Sequence, residues 1–429
     1  MEPVRTYESG RLSRVGILRP LRIRDFALLW AGATVSLAGD GVYVVALAWQ
    51  VYELSDSPTA LSLVGVAWTL PLGIFVLLGG IVSDRLERRR IMIAADVLRA
   101  LAGATIGVLS LTGAIELWHL IALAAVFGTG EAFFGPAFTS IVPQIVPRNL
   151  LLQANSLDQF IRPFAFLLMG PALGGWMVAA FGPGEAFLFD AGTFLVSAMA
   201  ILLIRPRRAA REDQAGRSLL RDLREGLAFV KANAWLWATL AAAAAFLLAY
   251  WGPIDVLVPY RVRNELGGEA SDYGLVLAFG GVGSILAALI LSQRGLPRRH
   301  ITFMYLAWTI GSLALVGFGL ATAVWQLQAV SLLEGAFFTA GMVVWGTLVQ
   351  TLVPGELLGR VTSLDWFVST SLVPVSFALT GPVSAVLGAQ TTLVVAGIVA
   401  ALVTVVFLFV PGVRDTERDG SLAEVKAGA

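Results

Sequence analysis

Twelve apolar runs follow one another between residues 26 and 411. Each is long enough to cross about 30 Å of hydrocarbon as a helix. They lie at about 26–50, 59–83, 91–113, 117–140, 150–180 and 184–205, then at 232–260, 272–293, 300–320, 325–350, 358–387 and 390–411. In hydrocarbon every backbone N–H and C=O must find a partner inside the protein, which leaves helices or closed barrels. Runs of this length select helices. The expected fold is an all-α membrane protein of twelve transmembrane helices in two six-helix bundles. Composition agrees, with 57% hydrophobic and 14% charged residues and a mean hydropathy of +0.79.

The basic residues test the count. With both termini cytoplasmic, 27 of the 30 Lys and Arg fall on the inner side, counting Arg85 to Arg99 as one inner segment. Arg261 and Arg263 fall outside, and Arg162 falls within the fifth run. Positive loops resist translocation, so an odd number of spans in either half would destroy this asymmetry. The expected units are a basic arm (1–25), a six-helix bundle (26–205), a linker (206–231), a second bundle (232–411) and a cytoplasmic tail (412–429). In the linker Leu219, Leu220, Leu223, Leu227 and Val230 share one face, as in an amphipathic helix on the cytoplasmic leaflet or one that binds a partner.

The two bundles repeat one another. Val146-Pro-Arg-Asn-Leu-Leu-Leu-Gln-Ala-Asn-Ser-Leu-Asp158 aligns without a gap on Val353-Pro-Gly-Glu-Leu-Leu-Gly-Arg-Val-Thr-Ser-Leu-Asp365. Ala132-Phe133-Phe134 pairs with Ala336-Phe337-Phe338, and Gly170-Pro171 with Gly381-Pro382. Parallel repeats about the membrane normal are a recurrent plan for secondary transporters, with the substrate site where the halves meet.

Between the second and third runs lies Gly79-Gly80-Ile81-Val82-Ser83-Asp84-Arg85-Leu86-Glu87-Arg88-Arg89-Arg90. Its Gly-x-x-x-Asp-Arg-x-x-Arg-Arg pattern resembles the loop between helices 2 and 3 of the major facilitator superfamily, with Glu87 where that family usually has glycine. Arg24-Asp25-Phe26, Gly39-Asp40, Val51-Tyr52-Glu53-Leu54 and the Asp84–Arg90 run together resemble the macrolide-efflux and enterobactin-exporter-like branch, bacterial drug:proton antiporters. The resemblance implies a cytoplasmic gate of Gly80, Asp84, Arg85, Arg88 and Arg89. Asp84 would approach the N-terminus of the eleventh helix, and the arginines would pair with Asp96, Asp158 or Glu356. Gly170, Pro171, Gly174 and Gly175 resemble the superfamily's antiporter motif, with Phe166 where a further glycine is usual; close helix packing is the alternative role.

Other chemistries find no support in the sequence. There are no cysteines and two histidines, His119 and His300, too few for an imidazole-rich metal site. No Gly-x-x-x-x-Gly-Lys-Ser/Thr loop, His-Glu-x-x-His or Gly-x-Ser-x-Gly pattern occurs, so ATP-driven pumping and the common membrane hydrolases are not indicated. Neither an enzyme nor a cofactor is expected; the energy source would be the proton gradient.

What remains is a set of ionisable groups among apolar residues, where each costs roughly 2.5–3.5 kcal/mol to insert at the bilayer centre. Glu131 and Glu334 sit at nearly equivalent repeat positions. Desolvation favours the neutral form of a carboxyl group, the chemistry that couples export to proton entry; a structural carboxyl bonded to a neighbouring helix is the other reading. Asp40 lies between Gly39 and Gly41, and Asp255 follows Pro253. The resemblance implies that spans 1, 4, 7 and 10 line a central cavity, so all four carboxylates would face it, unless Asp255 lies at the outer mouth. Asp158 and Arg162 are spaced to pair as i and i+4, for structure or to hold an anionic substrate. Phe133, Phe134, Trp251, Phe337, Phe338 and Trp345 are candidates for an aromatic binding surface or for helix packing.

The expected function is a proton-coupled exporter of small amphipathic molecules in the bacterial inner membrane, working by alternating access as a monomer. Its partners would be a small-molecule substrate, protons and the lipid bilayer, with no nucleic acid. The alternatives are a proton-coupled nutrient importer on the same fold and a transport-inactive receptor or scaffold.

Overall fold

The computed structural model describes residues 18–205 and 219–418, without the side chains of 76–85, 148, 152, 219–223 and 418. The N-terminal arm up to residue 17, the first part of the linker and the tail beyond 418 lie outside the described residues.

Twelve helices are long and apolar enough to cross a membrane. They are α1 (Arg24–Leu54), α2 (Pro58–Arg85), α3 (Arg88–Leu111), α4 (Leu117–Ile145), α5 (Gln153–Phe181) and α6 (Pro183–Leu202) in the first half. The second half holds α7 (Ala234–Glu265), α8 (Ala270–Arg294), α9 (His300–Leu320), α10 (Val324–Leu352), α11 (Gly355–Leu387) and α12 (Ala389–Leu408). The chain is thus an all-helical, multi-pass membrane protein. A shorter helix, Leu219–Ala232, precedes α7.

The duplication is visible in the turns. Gly182 (φ +108°) joins α5 to α6 and Gly388 (φ +79°) joins α11 to α12. Both adopt backbone conformations that side chains resist. Small residues then bring helix backbones together within each half. A Cβ on Gly41 of α1 would lie 2.8 Å from Gly170 Cα and Phe166 O of α5. One on Gly252 of α7 would lie 2.4 Å from Ser376 O of α11. α5 carries a π-helical stretch over Pro163–Met169, immediately before its Gly-Pro.

The halves meet along α5 with α8 and α2 with α11. A Cβ on Gly175 would lie 2.9 Å from Gly274 Cα, and one on Gly381 would lie 2.8 Å from Thr59 Cα. At the end away from the termini, hydrogen bonds cross between them. Tyr52 donates to Val256 O (2.6 Å), Arg263 to Trp49 O (3.2 Å) and Asn264 to Asp56 (2.9 Å). Arg263 also stacks over the Trp49 ring at 5.3 Å.

Two basic residues behave differently from the sequence expectation. Arg99, counted with the inner loop, lies eleven residues into α3 and is 3% exposed. Arg261, expected in an outer loop, is buried and donates to the carbonyls of Phe318, Gly319 and Ala321 at the end of α9. A helix C-terminus leaves such carbonyls without partners, and a guanidinium satisfies several at once. In the linker, Arg360 of α11 pairs with Glu225, and a Cβ on Gly226 would lie 3.2 Å from Arg360 Cβ. The linker helix is therefore bound to the second half.

Candidate functional site

A cavity of about 390 Å³ lies between the halves. Gly41, Val44, Leu61 and Trp68 form one wall; Tyr250, Trp251, Asp255, Glu334, Phe338 and Phe377 form the other. α5 closes one side with Phe166, Leu167 and Pro171. The lining holds two carboxylates, Asp255 and Glu334, and among the described residues no lysine or arginine. Tyr250 donates its hydroxyl to Glu334 and stacks against Phe338 at 5.7 Å, with Trp251 edge-on to Phe338 at 6.0 Å. This wall offers aromatic faces and negative charge, a combination that suits a cation with an apolar body.

The first half carries a second cluster behind its wall. Arg99 bonds Asp96 at 2.6 Å and lies 3.8 Å from Asp40. Its guanidinium is held over Phe194 at 4.2 Å and over Phe134 at 4.7 Å. Asp190 of α6 is fully buried, with its carboxylate against Gly39 of α1 and Gly103 of α3. A Cβ on Gly39 would come within 2.5 Å of its carboxylate, so α1 must present a glycine there. Glu131 accepts a hydrogen bond from Trp68 Nε1 at 2.9 Å. Trp68 itself lines the cavity, which puts Glu131 one side chain behind the wall.

The structure separates the expected site residues into groups. Glu334, Asp255, Trp251 and Phe338 share the cavity. Asp40 and Glu131 belong to the cluster of the first half and do not line the cavity. Asp158 and Arg162 approach to 3.7 Å, with Arg162 largely exposed. Four aromatic residues depart from the expected lining. Phe134 packs under Arg99, and Phe133 stacks on Phe75 at 6.2 Å. Phe337 packs against Ala287, Ala307 and Ala340. Trp345 is buried against Trp235 and donates to Asp365. Adjacent residues on a helix point about 100° apart, so Phe337 and Phe338 were bound to diverge.

At the gate, Gly80, Asp84 and Arg85 have side chains outside the described residues. Arg88 donates to Ser140 O and Arg89 to Ile201 O and Leu202 O, which ties α3 to the ends of α4 and α6. Asp96, one of their expected partners, is held by Arg99 instead. In the Gly-Pro motif Gly170 packs on α1, Gly174 on Val42 of α1, and Gly175 on α8. Arg99 and Asp190 are not among the residues expected in a site, and Asp96 is expected only as a partner of the gate arginines. Their signal was present, since each lies well inside an apolar run.

A family model described as transmembrane secretion effector matches residues 15–425. The chain belongs to that family, within the major facilitator superfamily. The multidrug efflux pump Tap of Mycolicibacterium fortuitum is 29% identical over 411 residues, 93% of this chain and 97% of that protein. Macrolide efflux protein A of Streptococcus pyogenes is 23% identical over 363 residues, 82% of this chain and 88% of that one. Among solved structures, the nucleoside transporter NupG superposes with a TM-score of 0.69 at 12% identity, covering 89% of this chain and 98% of its own. A bacterial homologue of the iron transporter ferroportin, in an inward-facing state, gives 0.67 at 17% identity, covering 91% and 99%. These structures share the fold. As a secretion effector of this superfamily, the chain is a membrane transporter, and the cavity between its halves is the place to look for substrate.

Proposed function

We propose that the protein exports small amphipathic cations across the bacterial inner membrane in exchange for protons. The observation that carries this reading is the cavity wall: Tyr250, Trp251 and Phe338 beside Glu334 and Asp255, with no basic residue among the described lining. Its size suits a drug-like molecule, and the efflux activity named for the relatives supports the outward direction. Proton exchange draws support from carboxylates set among the apolar spans, Glu334 and Asp255 in the cavity and Asp40 behind its first wall, which can take up and release protons.

The same geometry supports alternating access. The cross-half hydrogen bonds at Tyr52, Asn264 and Arg263 gather at the end away from the termini. With both termini cytoplasmic, as the arginine distribution favours, this arrangement is closed to the outside. Opening would exchange these contacts for the Asp84-centred latch on the other side. The protein acts as a monomer in this scheme and needs no cofactor.

The test is ethidium accumulation in cells that express the chain. Export predicts lower accumulation than in control cells, with the difference abolished by a protonophore and by Glu334→Gln. Higher accumulation would mean import, and no difference for ethidium or a panel of other amphipathic cations would sink the reading.

A further inference from the structure

The cluster behind the wall of the first half has a composition the cavity lacks. Arg99, 3% exposed, bonds Asp96 (0%) and lies 3.8 Å from Asp40, and the Asp190 carboxylate (0%) sits against Gly39, next to Asp40, and Gly103 of α3. One buried guanidinium neutralises one carboxylate, so three carboxyls around it form an electroneutral group only when two of them carry protons. A buried charge without a partner costs several kcal/mol. Oxygen and nitrogen atoms are left over as well: Asp96 Oδ2, Asp190 Oδ2, Arg99 Nε and Tyr43 Oη are buried without a hydrogen-bond partner. Such orphans are expensive, and protons on the carboxyls would turn acceptors into donors within the cluster.

The surrounding helices supply few other charges. α1 contributes Asp40 and Tyr43, α3 Asp96 and Arg99, α4 Glu131, α5 Arg162, and α6 Asp190. α2 faces the cluster with Trp68, which meets Tyr43 edge-on at 5.7 Å. Access is graded. The Asp40 side chain is 19% exposed, whereas Asp96 is sealed. Asp40 therefore forms the entry, and Arg99 stands between it and the sealed carboxylate.

We infer that Asp40, Asp96, Asp190 and Arg99 form a proton-carrying site of the first half, distinct from the substrate cavity, with Arg99 as its internal counter-ion. The inference rests on the proton-coupled reading above and assigns its proton to named groups. A proton leaves the Asp40 carboxyl for water, the cluster gains one negative charge, and the guanidinium is drawn from Asp96 toward Asp40. Arg99 is anchored over rings of α4 and α6, so this shift bears on both helices. Trp68 touches the cavity on one side and Glu131 on the other, which gives substrate a path to the cluster.

The test uses the full chain in liposomes with ethidium as the probe. Two rates are measured: uptake driven by an imposed pH gradient, and ethidium exchange at equal pH on both sides. Asp96→Asn and Asp190→Asn should each lower the driven rate by about tenfold or more while exchange stays within about twofold of the parent. If both variants keep the parent's driven rate, the assignment is overturned; should Glu334→Gln abolish driving in that case, proton coupling itself survives at another site. If the parent exchanges ethidium but ignores the gradient, proton coupling falls and takes the assignment with it. A variant that loses exchange is replaced by Asp40→Asn under the same two rates. Loss of exchange in all three counts against the site, because an uncoupled carrier still exchanges.

Discussion

The two halves repeat one sequence pattern, yet they treat buried charge in opposite ways. In the first, Arg99 sits among Asp40, Asp96 and Asp190 behind the wall, clamped over Phe134 and Phe194. In the second, Glu334 and Asp255 stand open in the cavity with a tyrosine for company. Even the shared device diverges. Glu131 and Glu334 each accept a hydrogen bond from an aromatic residue of a neighbouring helix, but Trp68 screens the former from the cavity and Tyr250 leaves the latter exposed to it. A carboxylate with its own cation is costly to disturb, whereas one facing an open cavity is available to whatever enters. Duplication supplied two copies of a scaffold, and the placement of one arginine made one copy self-contained and the other receptive.

That contrast breaks most visibly at Arg99. Arg99→Met leaves buried carboxylates without their cation and should cost roughly 3–5 kcal/mol, seen as a lowered unfolding midpoint in detergent; Glu334→Gln should leave that midpoint nearly unchanged. The second variant tests the receptive half. Removing a charged partner of the substrate should cost about 1.5–3 kcal/mol of binding, or roughly a 10- to 100-fold rise in the ethidium concentration for half-maximal transport. Next comes the seam between the halves. Gly175→Val puts side-chain atoms where α8 already lies and should destabilise the packed arrangement by about 1–3 kcal/mol. The absence of native cysteines makes this measurable as faster labelling of an introduced Trp49→Cys by a membrane-impermeant thiol reagent. The smallest effect belongs to the outer rim, where Asp56→Ala removes one exposed hydrogen bond and should change transport and stability by no more than about 0.5 kcal/mol.

The twelve helices were legible because hydrocarbon imposes a length and a hydropathy that few other folds require. Glu131 and Glu334 were legible as a pair because the repeat sets them within one residue of each other. Arg99 was misread for a geometric reason: it follows an arginine-rich hairpin closely in sequence, yet eleven helical residues carry it about 16 Å from that end. Asp190 was overlooked in the sixth run although it is as deep and as charged as Asp40. The aromatic residues failed on direction, since a composition-based choice of Phe133, Phe134, Phe337 and Trp345 ignores which way each helix turns its side chains. Partners that lie far apart in sequence, such as Trp68 with Glu131 or Tyr250 with Glu334, leave no local signature at all.

The π-helical stretch of α5 has a consequence for motion. Its widened turn, Pro163–Met169, holds one residue more than an α-helix needs over that length. Phe166 O abuts Gly41, next to Asp40, while the Leu167 backbone abuts Gly281 of α8. If the surplus residue travels along the helix, the residues it passes turn by about 100°, so a shift past Phe166 and Leu167 moves both in the chamber and loosens α5 from Gly41 and Gly281 together. One slipping register would then time events at the acid cluster with the parting of the halves.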